Sequence, residues 1–293
     1  MPISSPDAFD NMGYPYNPSI VVNGTVFDEE MYRQYSPVFL SASLCMAYGV
    51  SFASFTALIV HVCSMFSFGW CSLLHFADKP LLVWFGKQVQ RQLLLTENTE
   101  KDVHSRLMQK YPEVPLGWYM SLGLSSILMV VIAVGLEDTA LPVWAAMVAF
   151  CIAAALAIPV AIIMAISNIQ VALQVLHEMI AGYMIPGKPI ANAIFKTIAY
   201  NGTTQAIGFS ADLKLGHYMK VPPRISFAAQ CISATIACFV ATGVQAWMFS
   251  NVEGICTDEQ VQGFVCPSTM TFAAATLIWG GVGPARLFNI GQP

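Results

Sequence analysis

The chain has 293 residues, of which 56% are hydrophobic and only 10% charged, and its mean hydropathy is +0.61. A soluble domain carries about 25% charged residues, so this composition argues against a water-facing fold and for an integral membrane protein. The net charge of −4 separates no classes, but eleven of the 13 Lys and Arg fall between Lys79 and Lys110 or between Lys188 and Arg224. Such clustering is what cytoplasmic loops show under the positive-inside rule. Neither segment has the dense basic run with interleaved aromatics that would suggest nucleic acid as a partner.

Residues 1–35 are polar, acidic and turn-rich, and read as an extracellular or lumenal segment; residues 36–293 read as a membrane domain. Asn23-Gly24-Thr25 matches the glycosylation acceptor pattern, which fits an outer start. No basic and apolar leader follows Met1, so no signal peptide is expected. Residues 37–63 contain no Asp, Glu, Lys or Arg and form the first expected span, since a helix needs about 20 apolar residues to cross a bilayer. Residues 87–115 carry mixed charge and read as a cytoplasmic loop with a short amphipathic helix.

The second span is expected at 117–135, ending in the acidic turn Glu137-Asp138, and the third at 142–166, with Pro159 inside it. The fourth is expected at 226–249, and a fifth begins near Thr271 and is broken by "WGGVGPAR". Between them, residues 167–225 are too apolar for a loop and too interrupted for plain spans. Pro186-Gly187 stops one helical pattern and Asn201-Gly202 splits the next. Non-helical backbone at membrane depth is tolerated only where protein buries it or it lines a wet cavity, and paired Gly/Pro interruptions mark the substrate region of transporters. A re-entrant or hairpin pair is therefore expected here. The fold class that results is an all-α polytopic integral membrane protein of about five full transmembrane helices plus that pair. Sidedness makes Asn201-Gly202-Thr203, a second acceptor pattern, cytoplasmic and unmodified. Cys256 and Cys266 flank the polar stretch "TDEQVQGFV". They form a disulfide if that loop faces outside and stay free otherwise.

Several long stretches carry a resemblance: "GYMIPGKPIANAIFKTIAY" (182–200), "DLKLGHYMKVPPR" (212–224) and "NVEGICTDEQVQGFVCPSTMTFAAATLIWGGVGPARLF" (251–288). "YSPVFLSASLCMAYGVSFASFTALIVH" (35–61) and "DVHSRLMQKYPEVPLGWY" (102–119) support it. With these the chain resembles the oligopeptide transporter family, the proton-coupled peptide carriers of fungi and plants. The resemblance fades between Cys63 and about Gln92, so residues 64–90 are expected to be foreign to the family pattern. Family members are longer and hold more spans, which makes this chain an internal fragment of the pattern. The resemblance implies import of small oligopeptides, including glutathione-like or peptide–metal cargo, by symport with protons across the plasma membrane. Peptides and protons are then the transported species and the bilayer is the partner. Two alternatives stay open: a metal-chelate carrier of the same family, and a non-transporting truncated remnant.

Glu178, beside His177 in an amphipathic helix, is the first proton-coupling candidate, because intramembrane ionisable groups tend to be functional. Its competing role is to sit at an interface and pair with a nearby lysine. Asp212, expected to be partly buried by the apolar stretch before it, and His217, which titrates near neutral pH, are the others. Tyr183, Asn192, Gln205 and Gln230 are candidates for the substrate path, with helix glue as the alternative for Gln230. Lys188, Lys220 and Arg224 read as gate or anchor residues, Lys188 either meeting a peptide carboxylate or snorkelling to headgroups. There is no G-x-S-x-G, H-E-x-x-H or Walker loop and no paired-cysteine metal pattern, so neither an enzyme, a metal, a cofactor nor an ATP-driven pump is expected.

Overall fold

The computed structural model describes residues 2–66, 103–257, 260–264 and 266–288. The basic stretch from Lys79 to Lys101, and with it most of the expected cytoplasmic loop, lies outside the described residues. The described part is mainly helical, with four strands of two residues each.

The polar N-terminal segment folds onto the rest. β1 (Ala8–Phe9) pairs antiparallel with β4 (Phe39–Leu40), and β2 (Val22–Asn23) with β3 (Val26–Phe27). The Asn23 acceptor lies exposed at the tight turn of that second hairpin, where Gly24 takes a φ of +64°. Between the pairs lie α1 (Pro18–Val21) and α2 (Glu29–Tyr35). The Asp28 side chain accepts from Met31 N at the start of α2, and Glu29 and Glu30 occupy the first turn, where the helix dipole favours negative charge. Tyr16, Val21, Phe27 and Tyr32 are buried against Leu277, Ile278 and Trp279 from the far end of the chain. The buried Tyr16 hydroxyl donates to Ser36 O at 3.0 Å.

Four long helices come next: α3 (Ala42–Phe66), α5 (Leu116–Leu136), α6 (Val143–Ser167) and α10 (Pro223–Asn251), with the short α4 (Val103–Met108) before α5. Within them, Leu116–Leu136, Val143–Ala165 and Pro223–Asn251 are long and apolar enough to cross a membrane, with mean hydropathies of 2.1, 2.7 and 1.7. No residue in the most apolar windows of the first and last is fully buried inside the chain, and most of their Leu, Ile, Phe and Val side chains are exposed. A helix apolar on its outer face suits lipid or other protein rather than water. The expected boundaries at 117–135, 142–166 and 226–249 agree with these helices to within three residues at either end. The first expected span starts late, because Phe39 and Leu40 are drawn into the sheet with β1.

The interrupted region forms a helical hairpin. α7 (Gln174–Met184) ends at a turn where Gly187 adopts a φ of +73°, and α8 (Pro189–Lys196) starts with proline in its first turn. Asn201-Gly202 does not split the second arm of the hairpin, contrary to expectation. A π-helical segment (Thr197–Asn201) carries α8 directly into α9 (Gly202–Tyr218), so the helical path is unbroken from Pro189 to Tyr218. Widening one turn to a π-bulge absorbs the helix-weakening Asn-Gly pair without ending the helix. The second acceptor pattern is consequently helical, with the Thr203 hydroxyl buried and donating to Ala199 O at 2.9 Å.

α9 closes with Lys220 in the left-handed region, φ +60°. Val221 N donates to Gly216 O at 2.9 Å and Lys220 N to His217 O at 3.3 Å, the paired bonds of a Schellman end that glycine usually occupies. Pro222 then caps α10 and Pro223 is its first residue. Lys220 thus serves the turn through its backbone, and its side chain is exposed. Lys220→Gly should raise stability by about 0.5–1 kcal/mol, the relief of a side chain held at positive φ less the added freedom of unfolded glycine. Lys220→Ala should change it by less than half of that. Detergent-solubilised denaturant titrations check this, and equal behaviour of the two variants would assign Lys220 to charge instead.

The last expected span is broken as anticipated. α11 (Pro267–Thr276) passes into a second π-helical segment (Leu277–Val282), Gly283 takes a φ of +83°, and α12 (Pro284–Phe288) begins. Before it, Cys256 and Cys266 are disulfide-bonded, with Cα atoms 4.7 Å apart.

Candidate functional site

α7 and α8 lie against each other across the Gly187 turn, and the second π segment closes over both. On α7 the buried face runs through Val175, Glu178 and Gly182, spaced three and four residues apart. On α8 it runs through Pro189, Asn192 and Lys196 at the same spacing. These two stripes meet. The Lys196 Nζ forms an ion pair with Glu178 Oε1, and both side chains are buried. Asn192 Nδ2 donates to the Glu178 carbonyl oxygen at 2.9 Å, fixing α8 against α7. The Lys196 ammonium also lies 4.5 Å from the Phe272 ring centroid, on the ring's electron-rich face.

Two polar atoms of this cluster have no hydrogen-bond partner among the described residues: Asn192 Oδ1 and His177 Nε2. The other His177 nitrogen, Nδ1, is 2.7 Å from Leu173 O. Buried polar atoms are almost always satisfied, so an unmet acceptor and an unmet ring nitrogen beside a buried ion pair are unusual. Close packing holds the arrangement. A Cβ at Gly280 would sit 2.7 Å from Pro189 Cα and 2.8 Å from Asn192 Cβ. A Cβ at Gly182 would strike the Trp279 carbonyl oxygen and the Pro284 ring. Both π-helical segments adjoin the cluster, one directly after Lys196 and one around Trp279; such bulges are frequent at functional sites.

Of the residues expected from sequence, Glu178 and Asn192 come together here and the rest do not. Asp212 is exposed rather than partly buried, and it makes no ion pair among the described residues. The buried line of α9 passes through Thr203 and Ile207; at 100° per residue Asp212 lies well off that line. His217 is half-buried with its ring 6.0 Å from Tyr218. Tyr183 and Gln205 are exposed. Gln230 Nε2 donates to Phe209 O at 3.1 Å, joining α10 to α9. Arg224 Nε donates to Glu113 O at 3.0 Å, tying the start of α10 to the loop before α5. Lys188 Nζ lies 3.4 Å from Ala140 O in the turn between α5 and α6. Lys196, the counter-charge of Glu178, was grouped by sequence with the basic segment. Its signal was visible: it is the only Asp, Glu, Lys or Arg between Lys188 and Asp212.

A family model for the OPT oligopeptide transporter protein matches residues 1–291. Among curated proteins, the chain is 38% identical over 290 residues to the sexual differentiation process protein isp4 of Schizosaccharomyces pombe, covering 99% of the chain and 34% of that protein. It is 35% identical to glutathione transporter 1 of the same yeast, over 100% of the chain and 32% of that protein. It is 36% identical to oligopeptide transporter 2 of Arabidopsis thaliana, over 98% of the chain and 38% of that protein. The chain thus spans about a third of the length of the curated relatives it matches. No solved structure matches it.

Proposed function

Because this chain belongs to the OPT oligopeptide transporter protein family, we propose that it forms part of a multi-pass plasma-membrane carrier that imports small oligopeptides with protons. One relative is named a glutathione transporter and others oligopeptide transporters, which supports peptide cargo. In this reading residues 1–35, the Cys256–Cys266 loop and the Gly187 turn, tied to the N-terminal strap through the Phe27 amide, face outward, and the basic segment from Lys79 to Lys110 and the end of the second from Lys214 to Arg224 face the cytoplasm. Residues 36–293 form the membrane portion.

The observation that carries the proton coupling is the buried Glu178–Lys196 pair. While the two touch, their charges cancel and neither needs a proton from outside. If the helices re-pack and draw Lys196 away, an ionised Glu178 would be left uncompensated away from water, a state several kcal/mol uphill. Taking up a proton is the cheapest escape. Opening of the pair and protonation of Glu178 are therefore linked, which is what a symporter that alternates between two packings requires.

Uptake of a labelled tetrapeptide by the whole protein that carries this chain tests the reading. Uptake should rise when the outside is acidified relative to the inside. Glu178→Gln should lose that dependence, with a fall of about tenfold or more, for which a change of about 1.4 kcal/mol in the barrier suffices. Uptake by the unaltered protein that ignores the gradient sinks the symport.

A further inference from the structure

The mouth of the broken helix holds a second, outer arrangement of charge. Arg286, in the first turn after the Gly283 break, has its side chain largely covered and pairs with Glu29 Oε2 at 2.5 Å. Glu29 belongs to α2, near the opposite end of the sequence, and is half-exposed. Its other oxygen, Oε1, accepts from Arg33 one helical turn on, at 2.7 Å. The Arg286 guanidinium also lies 5.7 Å from the Phe27 ring centroid. The Phe27 amide donates to Gly187 O at 2.9 Å, so the strap carrying Glu29 is fixed to the same turn that joins α7 and α8.

Beside this pair is a cavity of about 390 Å³, walled by Phe27, Glu29, Gly187, Gly283 and Arg286 among others. Gly187 and Gly283 have open space where a Cβ would be. Arg286 is the one Lys or Arg on the cavity wall among the described residues. The other basic residue of this turn, Lys188, has its Nζ directed to the Ala140 carbonyl instead.

We infer that Arg286 is a carboxylate-binding residue for the cargo, and that Glu29 occupies it as an internal substitute when no cargo is bound. The inference deepens the peptide-carrier reading and rests on it. The exchange is balanced in charge. A peptide's terminal carboxylate entering the cavity takes the Arg286 fork, which offers paired N–H donors to any planar carboxylate. Glu29, displaced, keeps Arg33 as its partner on the same helix, so no charge is stranded. Glu29 is an apt placeholder because, although Arg286 and after it Arg33 keep its carboxyl below the usual carboxylate range, its side chain stays half open to water. A pair with one member open to water is readily traded. Freed of Glu29, the strap is tied there by the Phe27 amide and its apolar contacts.

Equilibrium binding to the purified whole protein tests this, using one labelled tetrapeptide with a free C-terminal carboxylate and the same peptide amidated. The unaltered protein should prefer the free carboxylate by about ten- to a hundredfold, the range of a charge-assisted hydrogen bond. Arg286→Gln should abolish the preference, and Arg286→Lys should keep part of it, since the charge remains and the fork does not. Glu29→Gln, at an exposed position that folding tolerates, should tighten binding of the free-carboxylate peptide by about two- to fivefold, because the competitor has lost its charge. Equal binding of the two peptides, or a preference that survives Arg286→Gln, or weaker binding in Glu29→Gln, each overturns the inference. Binding neither peptide overturns it together with the carrier reading. Preference for the carboxylate without any uptake sinks the carrier reading alone, and pH-driven uptake with equal binding sinks this inference alone.

Discussion

Lys196→Met is expected to destabilise the protein by about 3–5 kcal/mol, the penalty for removing one partner of a buried ion pair and leaving the other uncompensated. Glu178 lies on the inner face of α7 with its carboxylate against the Lys196 ammonium, and neither has an alternative ionic partner among the described residues. The methionine stem occupies nearly the volume of the lysine stem, and its sulfur can still lie against Phe272. The loss is therefore mainly one of charge compensation. Glu178→Leu alone should do comparable damage, by stranding the ammonium instead. The double variant separates charge from packing. With both charges gone the site is apolar throughout, and such replacements are often neutral or stabilising by about 1–4 kcal/mol. The double variant should thus recover most of the loss, giving a large coupling energy in the cycle. Chemical denaturation in detergent, read for the four proteins, measures it. Additive losses would mean that the two residues do not compensate each other and would remove the basis for proton linkage. The same double variant should be stable yet deaf to a proton gradient, a separation that a purely structural pair would not produce.

Legibility in the sequence followed the range of the interactions. α5, α6 and α10 could be placed from composition alone, because a bilayer-crossing helix advertises itself through some twenty consecutive apolar residues. The Pro186-Gly187 stop and the break at Gly283 were legible for a local reason too: positive φ calls for glycine, and proline opens the next helix. Asn201-Gly202 misled for the converse reason. A local helix-breaking signal was overridden by packing of the first π segment against α6 and α7. Asp212 misled because an apolar sequence neighbourhood does not say which way one side chain faces.

The candidate site was half legible. Glu178 stood out as a charge among Val, Leu and Ile, and a pairing lysine was foreseen in kind but not in identity. Lys196 was hidden by a statistical rule, since positive-inside counting treats every cation as a loop residue. An isolated lysine in an uncharged helical stretch should be read first as an intramembrane charge in want of a partner. Glu29 and Arg286 carried no signal of pairing at all. They are joined only because the N-terminal strap folds back onto the broken helix, and nothing local to either residue encodes that return. The apolar residues Val21, Phe27 and Tyr32 that drive it are spread through a segment whose average composition is polar.

Gly280→Ala is expected to be strongly damaging for a single added methyl group. Gly280 lies in the second π segment where its backbone crosses α8. The added Cβ would come to 2.7 Å from Pro189 Cα and 2.8 Å from Asn192 Cβ. Neither atom is the end of a flexible side chain, so relief requires the two segments to move apart. Overpacking of this kind costs about 1–3 kcal/mol and sometimes more, and here the displacement acts on Asn192. The bond from Asn192 Nδ2 to the Glu178 carbonyl would lengthen, loosening α7 from α8 beside the ion pair. Uptake should therefore fall further than stability does. Gly243→Ala supplies the contrast, because Gly243 is within α10 and a Cβ there meets nothing within 4 Å. Relief of glycine's helix penalty should make that change stabilising by about 0.5–1 kcal/mol. Thermal unfolding and tetrapeptide uptake, run in parallel on both variants, decide the matter. If Gly280→Ala is as well tolerated as Gly243→Ala, the π segment does not press on α8. The coupling between the broken helix and the Glu178–Lys196 pair then has no mechanical route.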